Sequence, residues 1–122
     1  MDGYNAAILA YGQTGAGKTF TLLGPGYDNA NHIGRVKDPN VRGIAPRMLQ
    51  TIFNKVYTTY DEGVTYDIRF SYLEIYNEKI QDCLSTAKDN LKVYKNENNG
   101  LWITDATKVP VKNTGEVLKL ME

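Results

Sequence analysis

The stretch Gly12-Gln13-Thr14-Gly15-Ala16-Gly17-Lys18-Thr19 satisfies the pattern G-x-x-x-x-G-K-T in full, and the apolar run Ala6-Ala7-Ile8-Leu9-Ala10-Tyr11 leads directly into it. Few folds accommodate a strand, a glycine-rich turn and a helix opening on Lys-Thr, because the turn must aim successive backbone N–H groups at one point. Glycine permits this: it tolerates positive φ and carries no side chain to block the approach of an anion. The helix that begins at Lys18 adds its own unpaired N–H groups and the positive end of its dipole. The sequence therefore predicts an α/β chain with a buried strand over residues 6–11 and a loop that binds a nucleoside triphosphate. Gly12, Gln13, Thr14, Gly15, Ala16 and Gly17 form the cradle. Lys18 reaches the β- and γ-phosphates, and the Thr19 hydroxyl binds the accompanying Mg²⁺.

Composition narrows the partners. The 122 residues carry 14 Lys+Arg against 14 Asp+Glu, so no global basic field points to nucleic acid, and polyanion binding must be local. No apolar run is long enough to cross a bilayer and no signal-peptide pattern opens the chain, which makes the cytoplasm the default compartment and excludes a membrane partner. The length is that of one domain with a real core, small for a nucleotide hydrolase. The single cysteine, Cys83, forms no internal disulfide and, beside Ile80 and Leu84, is expected as a small buried apolar residue. His32, the only histidine, lies in a polar stretch without metal-ligand spacing and is expected to be solvated.

Gly24-Pro25-Gly26 ends the first helix after Leu23. Residues 27–42 show neither helical nor strand period and form a long loop. Pro46 suits the first turn of a second helix, whose buried stripe is Met48, Leu49, Ile52, Phe53 and Val56. Val64, Tyr66, Ile68, Phe70 and Tyr72 alternate with polar residues as in a strand with unlike faces. Asn77 is placed to cap a short helix running to Leu84. Leu91-Lys92-Val93-Tyr94 and Leu101-Trp102-Ile103, either side of a polar segment, read as a hairpin. Asn113 and Glu116 have capping-box spacing ahead of Val117, Leu118, Leu120 and Met121, which begin an amphipathic helix.

Beyond the loop, Asp2-Gly3-Tyr4-Asn5, Ala10-Tyr11 leading into the loop, Arg42-Gly43-Ile44-Ala45-Pro46-Arg47 and Ser71-Tyr72-Leu73-Glu74-Ile75-Tyr76-Asn77-Glu78 closely resemble, in order and spacing, the kinesin motor domain. The resemblance runs from end to end of the chain, and the chain covers well under half of such a domain. It implies the P-loop NTPase fold of that family, a central, mostly parallel sheet with flanking helices, incomplete here, with residues 1–122 as part of one motor domain and no second domain. It implies ATP as the nucleotide, Mg²⁺ as its cation, microtubules as the partner and a cytoskeletal location. Phe20 takes the position whose side chain packs on the adenine, and an aromatic face suits a base. The loop at residues 27–42 resembles the nucleotide-coupled insertion of the family. The hairpin from Leu91 resembles the lobe that meets tubulin, where Lys92, Lys95, Lys108 and Lys112 either face an acidic filament or are simply solvated.

The family's Asn-x-x-Ser-Ser-Arg and Asp-Leu-Ala-Gly switch segments are absent from the sequence. Phosphoryl transfer rests on positioning and charge stabilisation, so the chain by itself is expected to hold nucleotide without hydrolysing it, and no residue in it is assigned as catalytic. Asp105, which superficially ends an apolar strand in the manner of a Walker-B aspartate, is assigned a turn. The strands that flank residues 6–11 in the family's sheet are likewise expected from outside these residues, leaving Ile8 and Leu9 uncovered and the segment marginally stable. Two readings follow. The chain is a segment of a microtubule motor whose complete domain hydrolyses Mg-ATP, or it is a non-catalytic nucleotide- or microtubule-binding remnant.

Overall fold

The computed structural model describes residues 3–25, 41–59, 63–88, 90–96 and 100–122. The loop glycines lead into α1 (Lys18–Leu23), which stops where Gly24, at φ 101°, turns the chain away and its N–H donates to the Phe20 carbonyl at 2.9 Å. No residue of α1 is buried. α2 (Ile44–Thr58) begins two residues before Pro46. Pro46 therefore takes the third helical position, where no N–H has an intrahelical acceptor and the missing donor costs nothing. Phe53 is buried, and Leu49, Ile52 and Val56 are half-buried on the same stripe; Met48, expected with them, is exposed. α3 (Thr114–Leu120) carries the expected cap: Asn113 Oδ1 accepts from the Glu116 N–H at 2.9 Å, and Glu116 Oε2 accepts from the Lys112 N–H at 2.7 Å.

Among the described residues the strands form three antiparallel pairs. β1 (Arg69–Phe70) pairs with β6 (Val109–Pro110), β2 (Leu73–Tyr76) with β3 (Lys79–Asp82), and β4 (Val93–Asn96) with β5 (Gly100–Ile103). The long strand expected over residues 64–72 is paired only at β1, because a strand is defined by its partner and β6 offers two residues. The helix expected from Asn77 to Leu84 is not formed. Asn77 (φ 48°) and Glu78 (φ 63°) instead make a two-residue turn with both residues in the left-handed region, the geometry that matches the twist of a tight hairpin. The β4–β5 hairpin is as expected, with Tyr94 and Trp102 stacked across it at 6.2 Å and 24°. An isolated antiparallel bridge between Ile80 and Leu91 joins the two hairpins.

Phe53, Val111 and Val117 form the buried core, with Leu49, Ile68, Phe70, Leu120 and Met121 packed around it. α2 thus packs by its C-terminal half against α3 and the β1–β6 pair. Residues 4–12 pair with no strand among the described residues, and Ile8 and Leu9 are exposed, so the strand expected there is not built. A parallel-sheet strand requires neighbours on its edges and cover on both faces, and the described residues supply neither. Cys83 is exposed rather than buried, in the turn that follows β3. Desolvation of its sulfur, then the Glu74 and Asp82 carboxylates, push its pKa up, so the thiol stays protonated at neutral pH. The loop at residues 27–42 and His32 lie outside the described residues, except for Val41 and Arg42.

One buried charge organises the connections. Asp82, 5% exposed, accepts from the Leu84 N–H at 2.9 Å through Oδ1 and from the Thr107 N–H at 2.7 Å through Oδ2. Ser71 Oγ donates to the Thr107 carbonyl, and Lys88 Nζ donates to the carbonyl of Asp105, each at 2.8 Å. Asp105, at φ 60°, is the turn residue expected. Burial alone would raise the pKa of Asp82, but the hydrogen bonds from Thr107 and Leu84, with the nearby Lys88 charge, outweigh it and hold the carboxyl below its usual value.

Candidate phosphate-binding site

Three glycines shape the loop. Gly12 (φ 152°), Gly15 (φ 84°) and Gly17 (φ 86°, ψ 19°) all occupy conformations that L side chains rarely adopt. The Ala16 N–H donates to the Gln13 carbonyl at 3.1 Å and closes the turn, and the Thr21 N–H donates to the Gly17 carbonyl at 2.8 Å and starts the helix. Thr14, Gly15, Gly17, Lys18, Thr19 and Phe20 line a cavity of about 410 Å³, within the range of small-ligand sites.

Lys18 is the fixed point of this cavity. Its ammonium donates to the Gly12 carbonyl and to the Gln13 carbonyl, both at 2.8 Å. An ammonium has three donors, so two hold it against the loop and one remains for a ligand, with the full positive charge beside it. Gly12 and Gln13 thus act from behind the cavity, through carbonyls, rather than from its wall. Ala16 also stands back from the wall, its Cβ 3.0 Å from where a Cβ on Gly12 would lie. Thr19, the second residue of α1, is exposed and lines the cavity beside Lys18. Phe20 is 62% exposed at the rim, an uncovered aromatic face next to the phosphate loop.

The donor set suits a cation that arrives with phosphate. No group of three or more His, Cys, Asp or Glu among the described residues is arranged to hold a metal ion, so a Mg²⁺ here would rely on phosphate oxygens, water and the Thr19 hydroxyl.

A contact not read from the sequence supports the loop from below. The Gly43 N–H donates to the Leu23 carbonyl at 3.3 Å, and a Cβ placed on Gly43 would stand 2.4 Å from the backbone of Leu22 and Leu23. The approach is reciprocal, since a Cβ placed on Gly24 would stand 2.9 Å from the Gly43 nitrogen. Sequence marks Gly24 as a helix stop and gives no sign that Gly43, at an ordinary φ of −65°, is needed for space.

The positive-φ glycine turn entering a helix on Lys18-Thr19, with the lysine folded back on the loop carbonyls, places the chain in the phosphate-loop class of α/β proteins. The model of the kinesin motor domain matches residues 1–122, and the chain belongs to that family. Kinesin-related protein 3 of Dictyostelium discoideum is 38% identical over 99% of this chain and 10% of its own length. Kinesin-1 heavy chain of Homo sapiens is 38% identical over 100% of this chain and 12% of its own. The solved structure of a fast kinesin, described for its ATPase mechanism and its interactions with microtubules, superposes with a TM-score of 0.82 at 36% identity. It covers 97% of this chain and 30% of the other. The chain therefore spans about a tenth of the curated relatives named and under a third of that kinesin structure. The paired helices and hairpins described above are this chain's share of the kinesin fold.

Proposed function

We propose that these residues are the phosphate-holding part of a kinesin-type ATPase, within one motor domain that hydrolyses Mg-ATP and couples the cycle to movement along microtubules. The observation that carries the reading is Lys18 Nζ, held by two loop carbonyls at 2.8 Å in a chain of this family. The loop from Gly12 to Gly17 holds the phosphates, with Thr14, Gly15 and Gly17 at the wall and Gly12, Gln13 and Ala16 behind it; Lys18 meets the β- and γ-oxygens, and Phe20 stacks on the adenine. Mg²⁺, where bound, neutralises phosphate charge and is met from this chain by Thr19. These residues bind and orient; the groups that position water and sense the γ-phosphate belong to the switch segments, which this sequence does not contain. Lys92, Lys95, Lys108 and Lys112, on the β4–β5 hairpin and its flanks, are all exposed and are the cations that would meet an acidic filament, and the cytoskeleton is the expected location.

The test is Lys18→Ala in the full-length protein carrying this sequence. Losing a charge-assisted hydrogen bond worth about 1.5–3 kcal/mol weakens ATP binding roughly 10- to 150-fold and abolishes microtubule-stimulated turnover. Unchanged binding and turnover would refute the reading.

A further inference from the structure

α1 is six residues long, has no side-chain cap and buries none of its residues, yet it carries Lys18 and Thr19 as its first two residues. A helix this short does not hold its own position in water. Among the described residues its main packing partner is α2. Backbone takes a direct part in that contact. Gly43 donates its N–H to the Leu23 carbonyl, Gly24 fits against the Gly43 nitrogen, and both glycines are buried. Gly43 then caps α2, where its carbonyl accepts from Arg47 Nε at 3.3 Å, and the same helix reaches the core through Phe53.

We infer that Gly43 is a positioning residue for nucleotide: its bare backbone seats α1 on α2 and so sets where Lys18 and Thr19 stand. The inference rests on the nucleotide reading above. Gly43 has φ −65° and ψ 177°, which any residue adopts, so conformation does not require glycine there. Space does. A Cβ would lie 2.4 Å from the Leu22 carbonyl carbon and oxygen and from the Leu23 nitrogen, and these backbone atoms have no rotamer by which to move aside. Relief to ordinary contact near 3.4 Å shifts the end of α1 by about 1 Å. One short helix transmits that shift to Lys18, four residues away, or about 6 Å along the axis. Misplacement on the order of 1 Å costs up to about 100-fold where geometry governs a site.

Labelled ATP is titrated, with Mg²⁺ and with EDTA, into the full-length protein and its Gly43→Ala, Lys18→Ala and Asp82→Ala variants. Gly43→Ala weakens binding tenfold or more in Mg²⁺ and shrinks the gain that Mg²⁺ confers over EDTA. Asp82→Ala lowers Tm through a distant part of the fold and binds as the unmodified protein does, which separates positioning from general loss of stability. Gly43→Ala binding within twofold of the unmodified protein, while Lys18→Ala loses ATP, overturns the inference and leaves the nucleotide reading standing. Wild-type affinity in Lys18→Ala refutes that reading, and the inference with it. Should Gly43→Ala not fold, the unmodified protein still decides. Coupling is reciprocal, so ATP must slow hydrogen exchange at the Gly43 amide several-fold, and unchanged exchange there refutes the seating of α1.

Discussion

Replacing Asp82 by Ala removes two acceptors at once. The Leu84 and Thr107 N–H groups, bonded to the carboxylate at 2.9 and 2.7 Å, are left with no partner in the fold. Each hydrogen bond to a charged group contributes about 1.5–3 kcal/mol, and water entering beside Leu84, which is only half-buried, recovers part of the loss, so the net cost is about 2–4 kcal/mol. Asp82→Asn keeps one oxygen acceptor and loses about half of that. Backbone amide exchange reads the effect at its source: the Leu84 and Thr107 amides of Asp82→Ala exchange roughly 30- to 1,000-fold faster than in the unmodified protein. The sign of the pH dependence follows from the depressed folded-state pKa. The stabilisation is complete above the unfolded value near ~3.9 and is lost as pH falls through the lower, folded value, where both states become protonated. In urea unfolding the gap between the unmodified protein and its Asp82→Asn variant therefore stays constant at neutral pH and closes below about pH 4. Exchange at Leu84 and Thr107 that Asp82→Ala leaves unchanged, or a gap that widens in acid, refutes the assignment of Asp82 as the clasp between the β2–β3 hairpin and the segment before β6.

Two further outcomes concern the site and a turn. Phe20→Ala weakens ATP binding by about 1–3 kcal/mol, a typical base–aromatic stacking contribution, and leaves tripolyphosphate binding unchanged; equal loss for both ligands would place Phe20 in the fold rather than on the base. Glu78→Gly relieves a left-handed non-glycine residue at φ 63° and raises stability by about 1 kcal/mol, seen as a higher urea midpoint at constant slope; a lower midpoint contradicts the hairpin turn.

Local chemistry made much of this structure legible. The loop glycines, the Gly24 stop and the Asn113–Glu116 cap act within a few residues, and each stands where the sequence placed it. The β4–β5 hairpin was legible because two apolar runs flank a polar segment ending in Gly100. The β2–β3 hairpin was hidden because Asn77-Glu78 lacks the glycine that announces such a turn, and asparagine serves equally as a helix cap or in the left-handed region. Residues 6–11 have the composition of a buried strand, but pairing is a property of distant partners, and the described residues provide none. At the site, residue types and spacing identified the cavity-lining residues of the phosphate loop, while Phe20 was singled out only through the family resemblance. The two-carbonyl seat of Lys18, the Asp82 clasp and the space-limited Gly43 depend on backbone geometry that no residue type encodes.

The meeting of Leu23 with Gly43 also bears on what this chain tolerates between its first two helices. The chain leaves α1 and enters α2 through one hydrogen-bonded doorway, Gly43 N–H to Leu23 carbonyl at 3.3 Å, so whatever lies between departs and returns at the same place. For a flexible segment, closing such a circuit costs only about 0.6 kcal/mol more each time its length doubles. Added length between those two points therefore costs the fold little so long as Leu23 and Gly43 keep their hydrogen bond, which makes the doorway a natural port for an engineered insert.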